Sequence, residues 1–310
     1  MKIKSFASKQ PWIWSAIGIV LLWAIISVIS GKISTDTLFM NVTLASFTFL
    51  LGIAEMMVIT SGDGALDLSL PYTMTICAYI AAATFRDGNT WKGILILLAV
   101  CVGIGLLNGL INVYLHVHAM IGTLAVGYII FTVILEYSKV STKAPTKEIQ
   151  NFVHTRILGI SVLTILCLLF AVIMFIVMYK TKLGKSIHAV GQGHLIAYLA
   201  GINVNRLLIL IFVCSSLIAG LTGVLVSAYV GGSYQTLGDS YLIPSIAATM
   251  VGGTLISGGK SCVPGVFTGA VMFVLLNTLL NLSGFSAGLQ RIVEGVVIIL
   301  ILFSAKKDTN

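Results

Sequence analysis

The chain has 310 residues, of which 58% are hydrophobic and 9% charged, with a mean hydropathy of +1.06. A water-soluble domain carries about 25% charged residues, so the composition leaves no room for a soluble enzyme domain and reads as a single membrane domain over 1–310. The net charge of +8 does not point to nucleic acid, because the basic residues are scattered through inter-helix loops and termini, as membrane topology requires.

Lys2, Lys4 and Lys9 precede apolar residues from about Trp12 to Ser30 with no small-residue cleavage site after them, which predicts a retained first span rather than a signal peptide. With about 20 apolar residues needed per crossing, the windows fall near 12–30, 38–60, 65–85, 92–115, 118–137, 158–179, 207–230, 242–258, 262–282 and 287–304. The prediction is an all-α polytopic bundle of about ten transmembrane helices. The number falls to eight if the interrupted windows 65–85 and 242–258 do not cross. Only His116-Val117-His118 separates the fourth window from the fifth.

Two broken segments echo each other. Thr60-Ser61-Gly62-Asp63-Gly64 through Pro71 interrupts one apolar stretch, and Gly252-Gly253-Thr254 through Gly265 interrupts another. Such pairs point to duplicated transporter architecture, or else to two ordinary tight turns.

Residues 180–206 form a 27-residue polar interlude carrying Lys180, Lys182, Lys185 and Arg206 and no carboxylate. Lys and Arg are retained on the inner face of membranes, so this loop is assigned to the cytoplasm, with a short helix from His194 to Gly201. Segment 138–157 carries Lys139, Lys143, Lys147 and Arg156, and one helix separates it from 180–206, so the two lie on opposite sides. Placing 180–206 inside gives ten basic residues inside against seven outside, with Arg291 in the last span and both termini cytoplasmic.

Several matches to known motifs fail on context. Gly259-Lys260-Ser261 has Thr254 where a phosphate-binding loop needs its first glycine. Gly103-Ile104-Gly105 lacks the third glycine and the strand of a dinucleotide site. His116 and His118 have no nearby Cys or carboxylate and read as an interfacial turn. The glycosylation-type triplets at Asn41 and Asn281 fall at span edges, and the cysteines show no metal or redox spacing. No nucleophile–base pattern survives, so neither a catalytic residue nor a bound metal or cofactor is expected. Gly105/Gly109, Ala219/Gly223 and Gly265/Gly269 place small residues four apart, a spacing that lets helices approach closely. Glu55 lies well inside a span and Asp67 in a broken segment, and carboxylates at such places are functional candidates. With Ser69, Asn108 and Asn277 they form the candidate solute pathway; Asn112 is a further amide. The same groups can equally serve to cross-link helices.

Four stretches together resemble the permease of sugar-type ATP-binding-cassette importers, the ribose, xylose, galactose and autoinducer-2 group. Thr60-Ser61-Gly62 with Leu66-Asp67-Leu68-Ser69 is similar to that family's TSGGIDLSVG, and Ile121-Gly122-Thr123-Leu124-Ala125 to its FIATLA. Gly184-Lys185-Ser186-Ile187 through Asn205-Arg206, and Ser245-Ile246-Ala247-Ala248 with Gly252-Gly253-Thr254 and Gly258-Gly259, resemble two further motifs in the family's order. The chain departs from the family at Asp63-Gly64-Ala65, which lengthens the first motif, at Gly193-His194, and at Pro244-Ser245, where the family has an acid.

The resemblance implies a permease subunit that is not an enzyme. Two such chains, identical or related, would form the pathway, and a separate cytoplasmic ATPase would hold the ATP and Mg. An extracytoplasmic solute-binding protein would deliver the solute to a multi-pass protein of the bacterial inner membrane. It also implies docking of the ATPase on 180–206 through Gly184, Lys185, Gly191, Gly193, His194, Ala197 and Gly201. The competing readings are an ion-coupled secondary transporter using Glu55 and Asp67, and a membrane scaffold that transports nothing.

Overall fold

The computed structural model describes residues 12–31, 35–86, 90–139 and 145–306. Lys2, Lys4, Lys9, Lys32, Lys143 and Lys307, which enter the charge comparison, lie outside the described residues. The elements are α1 (Trp12–Ser30), α2 (Thr35–Thr60), α3 (Leu70–Arg86), α4 (Thr90–Tyr114), α5 (Ala119–Ser138), α6 (Lys147–His154), β1 (Arg156–Ile157) and β2 (Ile160–Ser161). They continue as α7 (Val162–Lys180), α8 (Lys182–Gln192), α9 (His194–Leu199), α10 (Val204–Val230), α11 (Asp239–Val251), α12 (Val263–Leu282) and α13 (Ala287–Lys306).

All ten predicted windows contain a helix, so the chain is an all-α membrane bundle. Seven of the helices are long and apolar enough to cross a bilayer. The two windows flagged as broken are short for a physical reason. At about 1.5 Å per residue, the 17 residues of α3 and the 13 of α11 fall short of the roughly 30 Å hydrocarbon layer. Window 65–85 also begins too early, because 65–67 is non-helical and α3 starts only at Leu70.

Helix ends follow local chemistry. Ser161, Thr181 and Asn203 each accept a backbone N–H of the helix they precede, capping α7, α8 and α10. Inside the spans, hydroxyls have no water to bond. Thr43, Ser46, Thr73, Thr75, Thr222 and Thr249 each donate to the carbonyl four residues earlier.

Segment 138–157 is expected as an external loop followed by a span from 158. It holds instead α6 and a two-residue hairpin, because Leu158 and Gly159 adopt positive φ (51° and 83°) and reverse the chain. The hairpin consumes 158–161, so α7 begins at Val162.

α2 is the centre of the bundle. Its apolar window is 89% buried against 11% for α1, although the two have similar hydropathy. On one side α10 packs against α2, α3 and α4, with α5 beyond; on the other, α12 packs against α1, α2 and α11. The small residues expected at helix contacts sit there. A Cβ on Gly105 or Gly109 of α4 would meet the α10 backbone at Val213 or Ile209. One on Gly223 would lie 1.9 Å from the Met74 carbonyl oxygen of α3, and one on Gly265 would lie 1.8 Å from that of Gly252.

This packing predicts a contrast. Gly223→Ala is expected to lower stability by about 1–3 kcal/mol, the cost of overpacking a tight contact. Gly103→Ala, with nothing within 4 Å of the added carbon, should change it by no more than about 0.5 kcal/mol. Thermal denaturation of the two purified variants in detergent measures the difference.

Candidate functional site

The first break is organised by two carboxyl side chains. After Thr60 the chain turns through Gly62, Asp63 and Gly64, all with positive φ (100°, 55° and 63°), and then runs to Leu70. Backbone inside a membrane bundle that is not helical must find its hydrogen bonds elsewhere in the protein. Asp67 N–H donates to Glu55 Oε2 at 3.3 Å. Asp67 Oδ1 accepts from the Ser69 backbone at 3.0 Å and from its hydroxyl at 2.6 Å, and Oδ2 accepts from Ser215 at 3.4 Å. The Asn108 amide donates to Ser69 Oγ at 2.8 Å, and Thr123 Oγ1 accepts from Leu68 N–H at 3.0 Å. Six side chains from α2, the break, α4, α5 and α10 therefore close into one network, each no more than 1% exposed.

The network unites four of the five predicted pathway residues, Glu55, Asp67, Ser69 and Asn108. It does not include Asn277, which faces Glu294 of α13 instead. None of the five lines either of the two cavities found at the polar end of the bundle. Sequence reasoning missed Thr123 and Ser215 as members. Thr123 stood inside a recognised motif, and Ser215 is a hydroxyl in an otherwise apolar span.

The polar interlude is more ordered than a loop with one short helix. It folds as two helices, α8 and α9, of which α8 was not anticipated. The apolar spacing of Leu183, Ile187 and Val190, at steps of four and three, gives α8 a face that turns inward, with Ile187 and Val190 fully buried. The predicted docking residues divide between faces. Gly184 and Ala197 are buried, Gly191, Gly193 and His194 half-buried, and Lys185 and Gly201 exposed.

Both broken segments reach this same end and meet each other there. Gly259 N–H donates to the Thr60 carbonyl at 3.0 Å. His194 Nε2 lies 3.1 Å from the Ser61 carbonyl and His194 Nδ1 3.3 Å from Asp63 Oδ2. His118, in the turn between α4 and α5, lies 3.0 Å from the Asp63 carbonyl. One cavity of about 640 Å³ opens here between Asp63, Asn112, His116, His118, His194 and Tyr198. A second, of about 560 Å³, lies against Tyr179, Lys185, His188, Gln192 and Lys260. Among the described residues no group of three or more His, Cys, Asp or Glu side chains is arranged to hold a metal ion.

The family described as "Branched-chain amino acid transport system / permease component" matches residues 37–302. The chain belongs to that family. It is 30% identical over 304 residues to the ribose import permease protein RbsC of Escherichia coli (strain K12), covering 95% of this chain and 94% of that one. It is 31% identical over 270 residues to the galactose/methyl galactoside import permease protein MglC of the same strain, covering 80% and 79%. A third relative there, the probable ABC transporter permease protein YphD, is 36% identical over 158 residues, 51% and 47% of the two chains. No solved structure matches. The chain is thus the permease subunit of an ATP-binding-cassette importer, a transport subunit and not an enzyme.

In this permease the Asp67 network predicts an ordering of variants. Asp67→Asn retains an oxygen acceptor for Ser69 and should cost about 1 kcal/mol. Asp67→Leu strands the Ser69 N–H and two hydroxyls and should cost about 2–4 kcal/mol. Thermal unfolding of both in detergent tests the ordering; equal stability would mean that Asp67 does not hold the break.

Proposed function

We propose that this permease carries a sugar or sugar-like solute across a bacterial cytoplasmic membrane, with both termini in the cytoplasm, and that α8 and α9 are where a cytoplasmic ATPase docks. The observation that carries the reading is the outer face of α9. Leu195, Ile196, Tyr198 and Leu199 stand 68–75% exposed at the end of the bundle where Lys180, Lys182 and Lys185 are also exposed. Contiguous apolar side chains turned away from the protein at a polar end call for a protein partner. The basic residues favour the cytoplasmic side for that end. Support for a sugar comes from RbsC and MglC, whose names specify ribose and galactose import, and it outweighs the amino-acid wording of the family's description.

In this reading two permease chains, identical or related, form the pathway. A solute-binding protein meets the opposite end, near α6 and the hairpin. ATP and Mg bind in the partner ATPase. Glu55, Asp67, Ser69 and Asn108 hold the broken segment beside the path rather than touching solute in this state, and Asn277 stands apart from them, facing α13.

Three outcomes are expected in cells and vesicles. In a cysteine-free background, the exposed Gln192→Cys should react with an impermeant thiol reagent in inside-out vesicles and not in intact cells; the reverse would invert the topology. Ala197→Arg, placing a long cation where the side chain is 2% exposed, should reduce ATP-driven uptake at least tenfold while the protein still inserts. Uptake by Asp67→Asn vesicles should persist at a reduced level with ATP present and the proton gradient collapsed. Wild-type uptake that needs the gradient and not ATP would overturn the ATP-driven reading.

A further inference from the structure

Three chain segments distant in sequence meet with their backbones in direct contact. A Cβ on Gly191, at the end of α8, would lie 1.9 Å from the Thr60 carbonyl oxygen and 2.4 Å from Gly259 N. On Gly62 it would lie 3.1 Å from Gly191 Cα, and on Gly258 it would lie 2.4 Å from Gly62 Cα and 3.0 Å from the Gly191 oxygen. The end of α2, the α8–α9 junction and the loop ahead of α12 are therefore in direct backbone contact here, with the Gln192 side chain packed against Gly259 beside it. Polar bonds surround this point. Gly259 N–H donates to the Thr60 carbonyl, and His194 reaches the Ser61 carbonyl. His188 Nε2 lies 2.9 Å from Ser261 Oγ, and the Tyr179 hydroxyl donates to the Ser261 carbonyl at 2.8 Å while accepting from Val263 N–H at 3.3 Å.

We propose that these three segments form one rigid clasp, with Gly191 as its positioning residue, and that displacement of α8 and α9 passes through it to the Asp67 network. The inference rests on α8 and α9 being the docking helices. Contacts made by backbone have no rotamers through which to relax, and close-packed interiors transmit strain rather than absorb it. The route onward is short. Thr60 ends the helix that carries Glu55, and the segment clasped at Gly62 continues directly into Asp67. On its other side, α9 joins α10 through Gly201, which has φ of 84° and nothing within 4 Å of an added Cβ. The docking helices are thus held to the end of α2 and to the loop ahead of α12 by the clasp, and joined to α10 by a turn in which Ile202 N–H donates to the Ala197 carbonyl at 3.1 Å. His194 and Asp63 face each other at the clasp's edge, so the clasp bears on the larger cavity as well.

The assembled transporter, reconstituted with its ATPase and binding protein in proteoliposomes, tests the clasp. Gly191→Ala should lower ATP-driven uptake at least tenfold while the ATPase still co-purifies and its hydrolysis stays within twofold. Uptake within twofold of wild type would overturn the proposal. Because Gly191→Ala could also impair folding, a second variant carries the same question. In a cysteine-free background, His188→Cys with Ser261→Cys is joined by a short bifunctional thiol reagent. A rigid clasp predicts that uptake stays within twofold of the same protein before cross-linking. A tenfold loss on cross-linking would show that the segments must separate. Hydrogen exchange on the permease alone judges the clasp without any partner. The segment 255–261 should exchange at least tenfold more slowly than the turn at 115–118, and equal rates would overturn the clasp. Absence of ATP-driven uptake by wild type would count against the docking reading and leave the exchange result to decide the clasp.

Discussion

A bilayer offers no water to backbone groups that leave a helix, and the structure depends on how the break between α2 and α3 meets that demand. Asp67 provides most of the answer, with Glu55 and Thr123 supplying the acceptors it cannot reach. Apart from Ser69 in the break itself, the partners Glu55, Asn108, Thr123 and Ser215 each come from a different helix. The break consequently fixes α4, α5 and α10 relative to α2, and a local need for hydrogen bonds becomes a long-range constraint. That also fits the deep burial of α2, whose apolar window is 89% buried. α2 carries Asn41, Thr43, Ser46, Thr48, Glu55 and Thr60, of which Glu55 above all is costly against lipid.

Around that centre the helices approach as far as backbone allows. Hydrophobic burial does not draw helices together inside lipid, so association depends on close contact and polar bonds. The glycines of α4, α10 and α12 provide the contact and the Asp67 network the bonds. The same device appears at the polar end, where Gly62, Gly191 and Gly258 bring three segments together. It has a different use there: within the bundle it sets helix spacing, and at the end it fastens α8 and α9 to both broken segments.

The sequence was legible where the physics is local. Ten windows were located because apolar length is a local property, and the two broken ones proved the short ones because glycine and proline mark where helices stop. α8 was missed because its lysines masked a three-residue apolar face, Leu183, Ile187 and Val190. The hairpin at 156–161 was missed because Leu158 gives no sign that it adopts positive φ. Glu55, Asp67, Ser69 and Asn108 were selected as rare polar groups in apolar surroundings, and that selection was sound as chemistry. What they do with one another required knowing that residues up to 148 apart in the chain, Asp67 and Ser215, face each other.

By itself the sequence determined that this is an all-α membrane protein, where its chain breaks lie and, through four spaced motifs, which family of permeases it belongs to. Those features follow from composition, from the length of apolar runs and from glycine and proline, which act within a few residues. Only the tertiary structure decided that the two breaks meet, that Asn277 turns to α13 instead of joining Asp67, and that Gly191 closes a three-way contact. Such pairings depend on which helix faces join, and hydropathy alone does not distinguish a face turned to lipid from a face turned to another helix.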